Sequence, residues 1–114
     1  MRRIFDGLMK TEGVIGGLLV GRDGLVVQSL MVEEDDAEVL GALAANMFDT
    51  IARTTQRLGI GPLNDTIVGA RDGSLQIRGA GELVLVVICD NHVRLGEVRI
   101  EMSKAARMVD DEFN

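Results

Sequence analysis

The run Leu83-Val84-Leu85-Val86-Val87-Ile88-Cys89 constrains the fold more than any other stretch of the chain. It is apolar at every position, with no polar alternation. A strand that reads this way is covered on both faces, whereas a half-exposed strand alternates. The chain therefore needs one layer above a central strand and one below it. The run is also far short of the ~20 residues that a membrane-spanning helix requires, so membrane insertion is not expected. A chain of 114 residues, 46% hydrophobic and 26% charged, has material for one such core. It is read as a single domain over residues 1–114.

The remaining elements follow from periodicity and turn chemistry. Ile4, Phe5, Leu8 and Met9 give residues 1–11 the apolar face of a short helix, and Gly13 closes it. Residues 14–21 read as a doubly buried strand with close backbone approach at Gly16-Gly17. Asp23-Gly24 then signals a hairpin into a strand at 25–30. Asp35, with Glu38 three residues on, has the spacing of a capping box.

The helix that follows carries a stripe of Leu40, Leu43, Ala44, Met47, Ile51, Thr55 and Leu58. Asn46, Asp49, Arg53, Gln56 and Arg57 lie on its opposite side. Gly59 and Ile60 end it in the pattern of a Schellman motif. Strands are expected at 65–71, 74–78 and 82–89, turned by Asp72-Gly73 and Gly79-Ala80-Gly81. Alternation in the middle one points Leu75 and Ile77 inward and Gln76 and Arg78 to water. Asp90 or Asn91 is placed to cap a last helix striped by Leu95, Val98, Met102, Ala105, Val109 and Phe113. The order α-β-β-α-β-β-β-α defines an α+β fold.

The chemistry of catalysis is thin. The net charge of −6 repels a phosphate backbone, and three Phe with no Tyr or Trp offer few stacking platforms, so nucleic acid is not an expected partner. Asp6, Gly7 and Lys10 interrupt any signal-peptide core, and one cysteine cannot form an internal disulfide. The expected setting is a reduced cytoplasm. Cys89 reads as a structural thiol at the end of a buried strand, and His92 as an exposed residue in the first turn of a helix. Two such groups are too few for zinc. The chain has no Gly-Lys pair, and Gly79-Ala80-Gly81 precedes a strand where a phosphate-binding loop would precede a helix. No cofactor, no metal and no enzymatic activity are expected.

The ordered set of motifs resembles the Roadblock/dynein light chain family. Its carriers are Gly13-Val14-x-Gly16-Gly17-Leu18-Leu19, Asp23-Gly24, Leu58-Gly59-Ile60-Gly61, Asp72-Gly73, the strand at 83–89 and Leu95-Gly96-x-x-Arg99, spanning about residues 3–110. The single-domain bacterial members are the nearest in form. The resemblance implies a five-stranded antiparallel sheet with the long helix on one face and both terminal helices on the other. It also implies a homodimer in which third strands pair and long helices pack side by side.

Many members of the family bind small Ras-like GTPases. A bacterial branch, typified by a gliding-motility regulator, stimulates hydrolysis by its partner. On this resemblance Leu43, Met47, Thr50, Thr54, Thr66, Ile67 and Val68 belong to the dimer interface, and Asn46, Asp49, Arg53, Gln56 and Arg57 line the surface toward a GTPase. No motif marks either arginine as a finger, so any stimulation is expected to come from ordering the partner's switch segments. Pairing would also remove the edge that strand 65–71 exposes. The alternatives are a small-molecule sensor and a purely structural assembly subunit.

Overall fold

The structure is a computed structural model describing residues 2–113. A 3-10 turn at Arg2–Phe5 runs into the short helix α1, Asp6–Met9. Then come β1 (Val14–Gly21), β2 (Val26–Leu30), the 24-residue α2 (Glu34–Arg57), β3 (Asp65–Ala70), β4 (Gly73–Ala80), β5 (Leu83–Asp90) and α3 (Leu95–Phe113). The strands form one five-stranded sheet in the order β2-β1-β5-β4-β3, antiparallel at every step. This is the expected α+β arrangement, with β5 at the centre and β2 and β3 at the edges.

Each face of the sheet has its own core. On one side Leu18, Val20, Ile77, Val84 and Val86 pack against Ala37, Ala44 and Phe48 of α2. On the other, Leu19, Leu85, Val87 and Cys89 meet Phe5 and Leu8 from the N-terminal segment and Val98, Met102 and Val109 of α3. Successive residues of β5 thus alternate between two cores, which is why the strand shows no polar alternation.

Two glycine contacts set how closely the layers approach. A Cβ on Gly17 would lie 2.8 Å from Cε1 of Phe5, so the missing side chain is the seat of that ring. A Cβ on Gly41 would lie 3.1 Å from the Gly24 carbonyl oxygen and from methyls of Val20 and Val26, so α2 rests directly on the β1–β2 hairpin. At the far end of α2 the Schellman motif is complete: Gly59 sits at φ 75°, its N–H donates to Gln56 O at 3.0 Å, and the Ile60 N–H donates to Thr55 O at 3.1 Å.

Several local expectations are corrected. Helix α2 starts one residue before Asp35, with Glu33 at the cap position and no side-chain cap bond, so the Asp35–Glu38 box does not form. Its buried face is Ala37, Gly41, Ala44, Ala45 and Phe48, while Leu43 and Leu58 of the expected stripe are 58% and 69% exposed. Met9 also faces out. Gln76 is buried, at 2% exposure, because α3 covers the face that alternation assigned to water. Arg78 is half-buried and bridges Asp65 at 3.4 Å. Asp90 caps no helix: its carboxylate accepts the His92 N–H at 2.8 Å within the β5–α3 turn, and α3 begins only at Leu95.

Gly17→Ala is expected to cost about 1–3 kcal/mol by overpacking against Phe5, measured by urea denaturation. In a Phe5→Ala background the same change should be close to neutral, the signature of a direct contact. Full additivity of the two would refute the seat.

Candidate functional site

Helix α2 presents three strips, because residues three or four apart share a face. Its inward strip is the core face already described. On one flank run Leu43, Met47, Thr50 and Thr54. Thr50 Oγ1 donates to Asn46 O at 2.8 Å and Thr54 Oγ1 to Thr50 O at 3.0 Å. Both hydroxyls are thus satisfied by the helix itself, which leaves methyl groups to dominate what this strip offers a neighbour. Met47 is half-buried and packs against the α2-side core, as do Leu63, Val68 and Leu75.

The outer strip holds Asn46, Asp49, Arg53, Gln56 and Arg57, all exposed. Asp49 and Arg53 pair at 3.4 Å one turn apart. Both side chains are well exposed, so the pair contributes little to stability and leaves Arg53 open to exchange partners. No residue after Phe48 in α2 is fully buried, and the last turns of the helix are its least anchored part.

Strand β3 follows at the sheet edge, paired only with β4 in the register Thr66↔Ile77, Ile67↔Gln76 and Val68↔Leu75. Thr66 and Val68 are half-buried and Ile67 is exposed. From Thr66 to Ala70 the strand carries no charge. Asp65 does, and it holds the strand's start by accepting both Arg78 at 3.4 Å and Arg99 of α3 at 3.5 Å. The structure leaves the expected β3 residues at an open sheet edge, those of α2 half-buried or exposed on one flank of the helix, and the expected partner-facing residues exposed on its outer strip. The sequence reading missed Leu63, which packs against the same core as Met47 and Val68 and whose apolar character was the available signal; Leu75, expected to face inward, does so.

These features belong to a known kind of protein. The Roadblock/LC7 domain family matches residues 2–89, and the chain belongs to that family. Two uncharacterised proteins of the archaeon Methanocaldococcus jannaschii are each 40% identical to it over 111 residues, covering 97% of both chains. Among solved structures, Myxococcus xanthus MglB superposes with a TM-score of 0.88 at 26% identity, over 96% of this chain and 91% of that one. A Roadblock/LC7 domain from Streptomyces avermitilis gives 0.88 at 20% identity, over 93% and 90%. The gliding protein MglB of Thermus thermophilus gives 0.85 at 20% identity, over 96% and 84%. The last two likenesses speak to the fold alone. The fold expected from the resemblance is thus the fold observed. The curated sequence relatives are archaeal, so the bacterial character read from the resemblance belongs to these solved structures.

The titratable groups singled out from sequence do not converge. Cys89 is buried in β5, while His92 lies exposed in the turn after it, outside any helix. Among the described residues, no three of His, Cys, Asp or Glu are grouped to hold a metal ion. No helix among them is long and apolar enough to cross a membrane. Burial pushes the Cys89 thiol above its ordinary 9.0, the neighbouring Ser74 hydroxyl offsets part of the rise, and the Asp90 charge adds to it. Ser74 Oγ makes no hydrogen bond of good geometry, so burial decides the direction.

A thiol kept neutral and buried should resist iodoacetamide in the native state and react once unfolded. Its linkage has a definite sign. Well below pH 9.0 the thiol is protonated in both states and contributes no pH dependence. Above it the unfolded thiol ionises first, the native state holds more protons, and stability falls as pH rises. Urea denaturation between pH 8 and 10.5 should show a steeper loss for the native sequence than for Cys89→Ala. Equal slopes would mean that the thiol is not desolvated.

Proposed function

We propose that this chain is a non-enzymatic homodimeric regulator, or scaffold, for a small Ras-like GTPase. The observation that carries the reading is an open sheet edge, β3, without charge from Thr66 to Ala70, together with a methyl-rich flank on the exposed part of α2. An edge of this kind invites a second copy, and symmetric dimers are the commonest oligomers. In such a dimer two α2 helices lie together and their outer strips, with Arg53 and Arg57, form one continuous surface. Exposed arginines in that position suit a protein partner, since arginine is enriched at interface hot spots. The family resemblance and the likeness to MglB support a GTPase as that partner. The partner is bound in its GTP state by contacts with its switch segments, and any gain in hydrolysis follows from ordering them. The protein acts in the cytoplasm and needs no cofactor.

Light scattering should return twice the 12.3 kDa chain mass for the native protein and a monomer for Leu43→Asp/Val68→Asp. Circular dichroism of the variant separates lost pairing from lost folding. A native monomer at about 100 μM would overturn the dimer.

The GTPase reading is tested by affinity capture from cell extract loaded with GDP or with a non-hydrolysable GTP analogue. The expected result is a small GTPase retained only with the analogue and lost on Arg53→Glu/Arg57→Glu, a variant that stays dimeric. Retention unaffected by that variant would move the docking surface elsewhere. Capture of no GTPase in either state would favour the assembly or sensor alternatives.

A further inference from the structure

The second sheet edge, β2, carries a feature that the β3 reading does not use. Strand β2, Val26-Val27-Gln28-Ser29-Leu30, ends the sheet and has neither a charged residue nor a proline. Natural edge strands are usually blunted by those devices, because the outer row of backbone N–H and C=O groups is a template for another strand. The one blunting device here is the register shift opposite Leu19 and Val20, at the start of the strand, which leaves Gln28, Ser29 and Leu30 in regular pairing.

Beside this edge lies a groove of about 990 Å³ between β2 and the N-terminal half of α2. Its floor is apolar, with Val26, Val32 and Ala37, and its rim is acidic, with Asp23, Glu34 and Glu38. No lysine or arginine lines it. The helix dipole accounts for Glu34 in the first turn of α2. It does not account for Glu38 one turn further in, and Asp23 is set by its own hairpin turn, where its carboxylate accepts the Leu25 N–H at 3.0 Å. Leu25 and Met31, at the two ends of β2, are 70% and 78% exposed. Met31 also takes φ 56°, a left-handed conformation that costs a non-glycine residue about 1–2 kcal/mol.

We propose that this edge and groove receive an extended, basic and apolar peptide segment of a partner protein, added to β2 as a sixth strand. The charge selects the occupant. A second copy paired edge to edge would bring two sets of the same carboxylates together on a chain of net charge −6. Nucleic acid and anionic lipid are repelled for the same reason. A strand added to β2 directs every second side chain over the groove. Lysine or arginine at those positions lays its aliphatic stem on the Val26–Val32 floor and its cationic head at the glutamates. Backbone pairing supplies affinity and the groove supplies preference, as in other cases of strand addition. Because β2 and β3 are opposite edges, this inference does not depend on the dimer.

The probe is a fluorescein-labelled synthetic peptide of alternating lysine and valine, roughly eight residues long to match a strand. Two control peptides accompany it: the same sequence N-methylated at alternate residues, which keeps the charge and blocks pairing, and a glutamate–valine peptide. Fluorescence anisotropy should show saturable binding of the first alone. Glu34→Lys/Glu38→Lys should weaken it at least about tenfold, and Glu34→Gln/Glu38→Gln by less, both variants changing exposed residues only. Amide exchange should slow across Val26–Leu30 when the peptide is bound.

Equal binding of the N-methylated peptide would reduce the effect to charge alone and overturn strand addition. Protection of β3 in place of β2 would do the same. So would protection of β2 that rises with protein concentration without peptide, which would make a second copy the occupant. No saturable binding up to about 1 mM would remove the site.

Discussion

The burial of β5 on both faces is the constraint on which the rest of the structure depends. Val84, Leu85, Val86 and Val87 are almost completely shielded from water, alternating between two cores. A single helical layer would leave every second one of them wet. The chain meets this requirement from both ends and the middle, with α1 and α3 on one side and α2 on the other. Tight turns make β1–β2, β3–β4 and β4–β5 local hairpins, and only β1–β5 joins distant parts of the chain. That one long-range pairing places β2 and β3 at opposite edges. Helix α2, which connects them, must then cross the whole sheet.

The length of α2 follows from that crossing and exceeds it. Four inter-strand steps span about 19 Å, while 24 residues of helix extend about 36 Å. The surplus is visible in the burial pattern. The fully buried residues of α2 run from Ala37 to Phe48, and none lies beyond. The N-terminal half is seated on the hairpin through Gly41 and Gly24, and Phe48 sits under the Arg22 guanidinium at 5.2 Å from the ring centroid. The C-terminal half exposes Arg53 and Arg57, keeps Ile51, Ala52 and Thr55 half-buried, and closes in the Schellman end. A helix anchored at one end and overhanging at the other offers surface without loss of core.

The strands were legible because their signals are local: unbroken apolar runs, and Asp-Gly or glycine-rich turns between them. The phase of α2 was not. Ala44 of the expected stripe is buried and Leu40 and Met47 pack at its side, but large apolar side chains extended the stripe to the exposed Leu43 and Leu58, while the core face turns to Ala37, Gly41 and Ala45, small residues that allow close approach. Hydrophobicity marks what is apolar and cannot distinguish a core face from a flank bound for another surface. Gln76 was misplaced for a related reason. In a sheet covered on both faces, alternation tells which helix a residue meets and not whether it meets water. The expected site residues were legible as positions on faces, because helical spacing fixes them. The β2 groove was not, because it joins residues of a turn, a strand and a helix that no single periodicity links.

These placements bear on whether surfaces along α2 can influence one another. A ligand shifts an equilibrium only through its different affinity for two states, so coupling between the groove and the outer strip needs an element with two arrangements. Where the groove lies, α2 has little freedom: the Gly41 position stands against Gly24 and the methyls of Val20 and Val26 with scant room for one more carbon. A segment in the groove therefore meets a fixed wall. The less buried part is the C-terminal end, some four turns away from Glu38 and beyond the last fully buried residue, Phe48. Tilting that end about Phe48 would move the strips bearing Thr50, Arg53 and Thr54 together and leave the groove in place. On this geometry an occupant at β2 would meet the anchored half of α2, whereas contacts at Thr50, Arg53 and Thr54 would fall together on its less buried half.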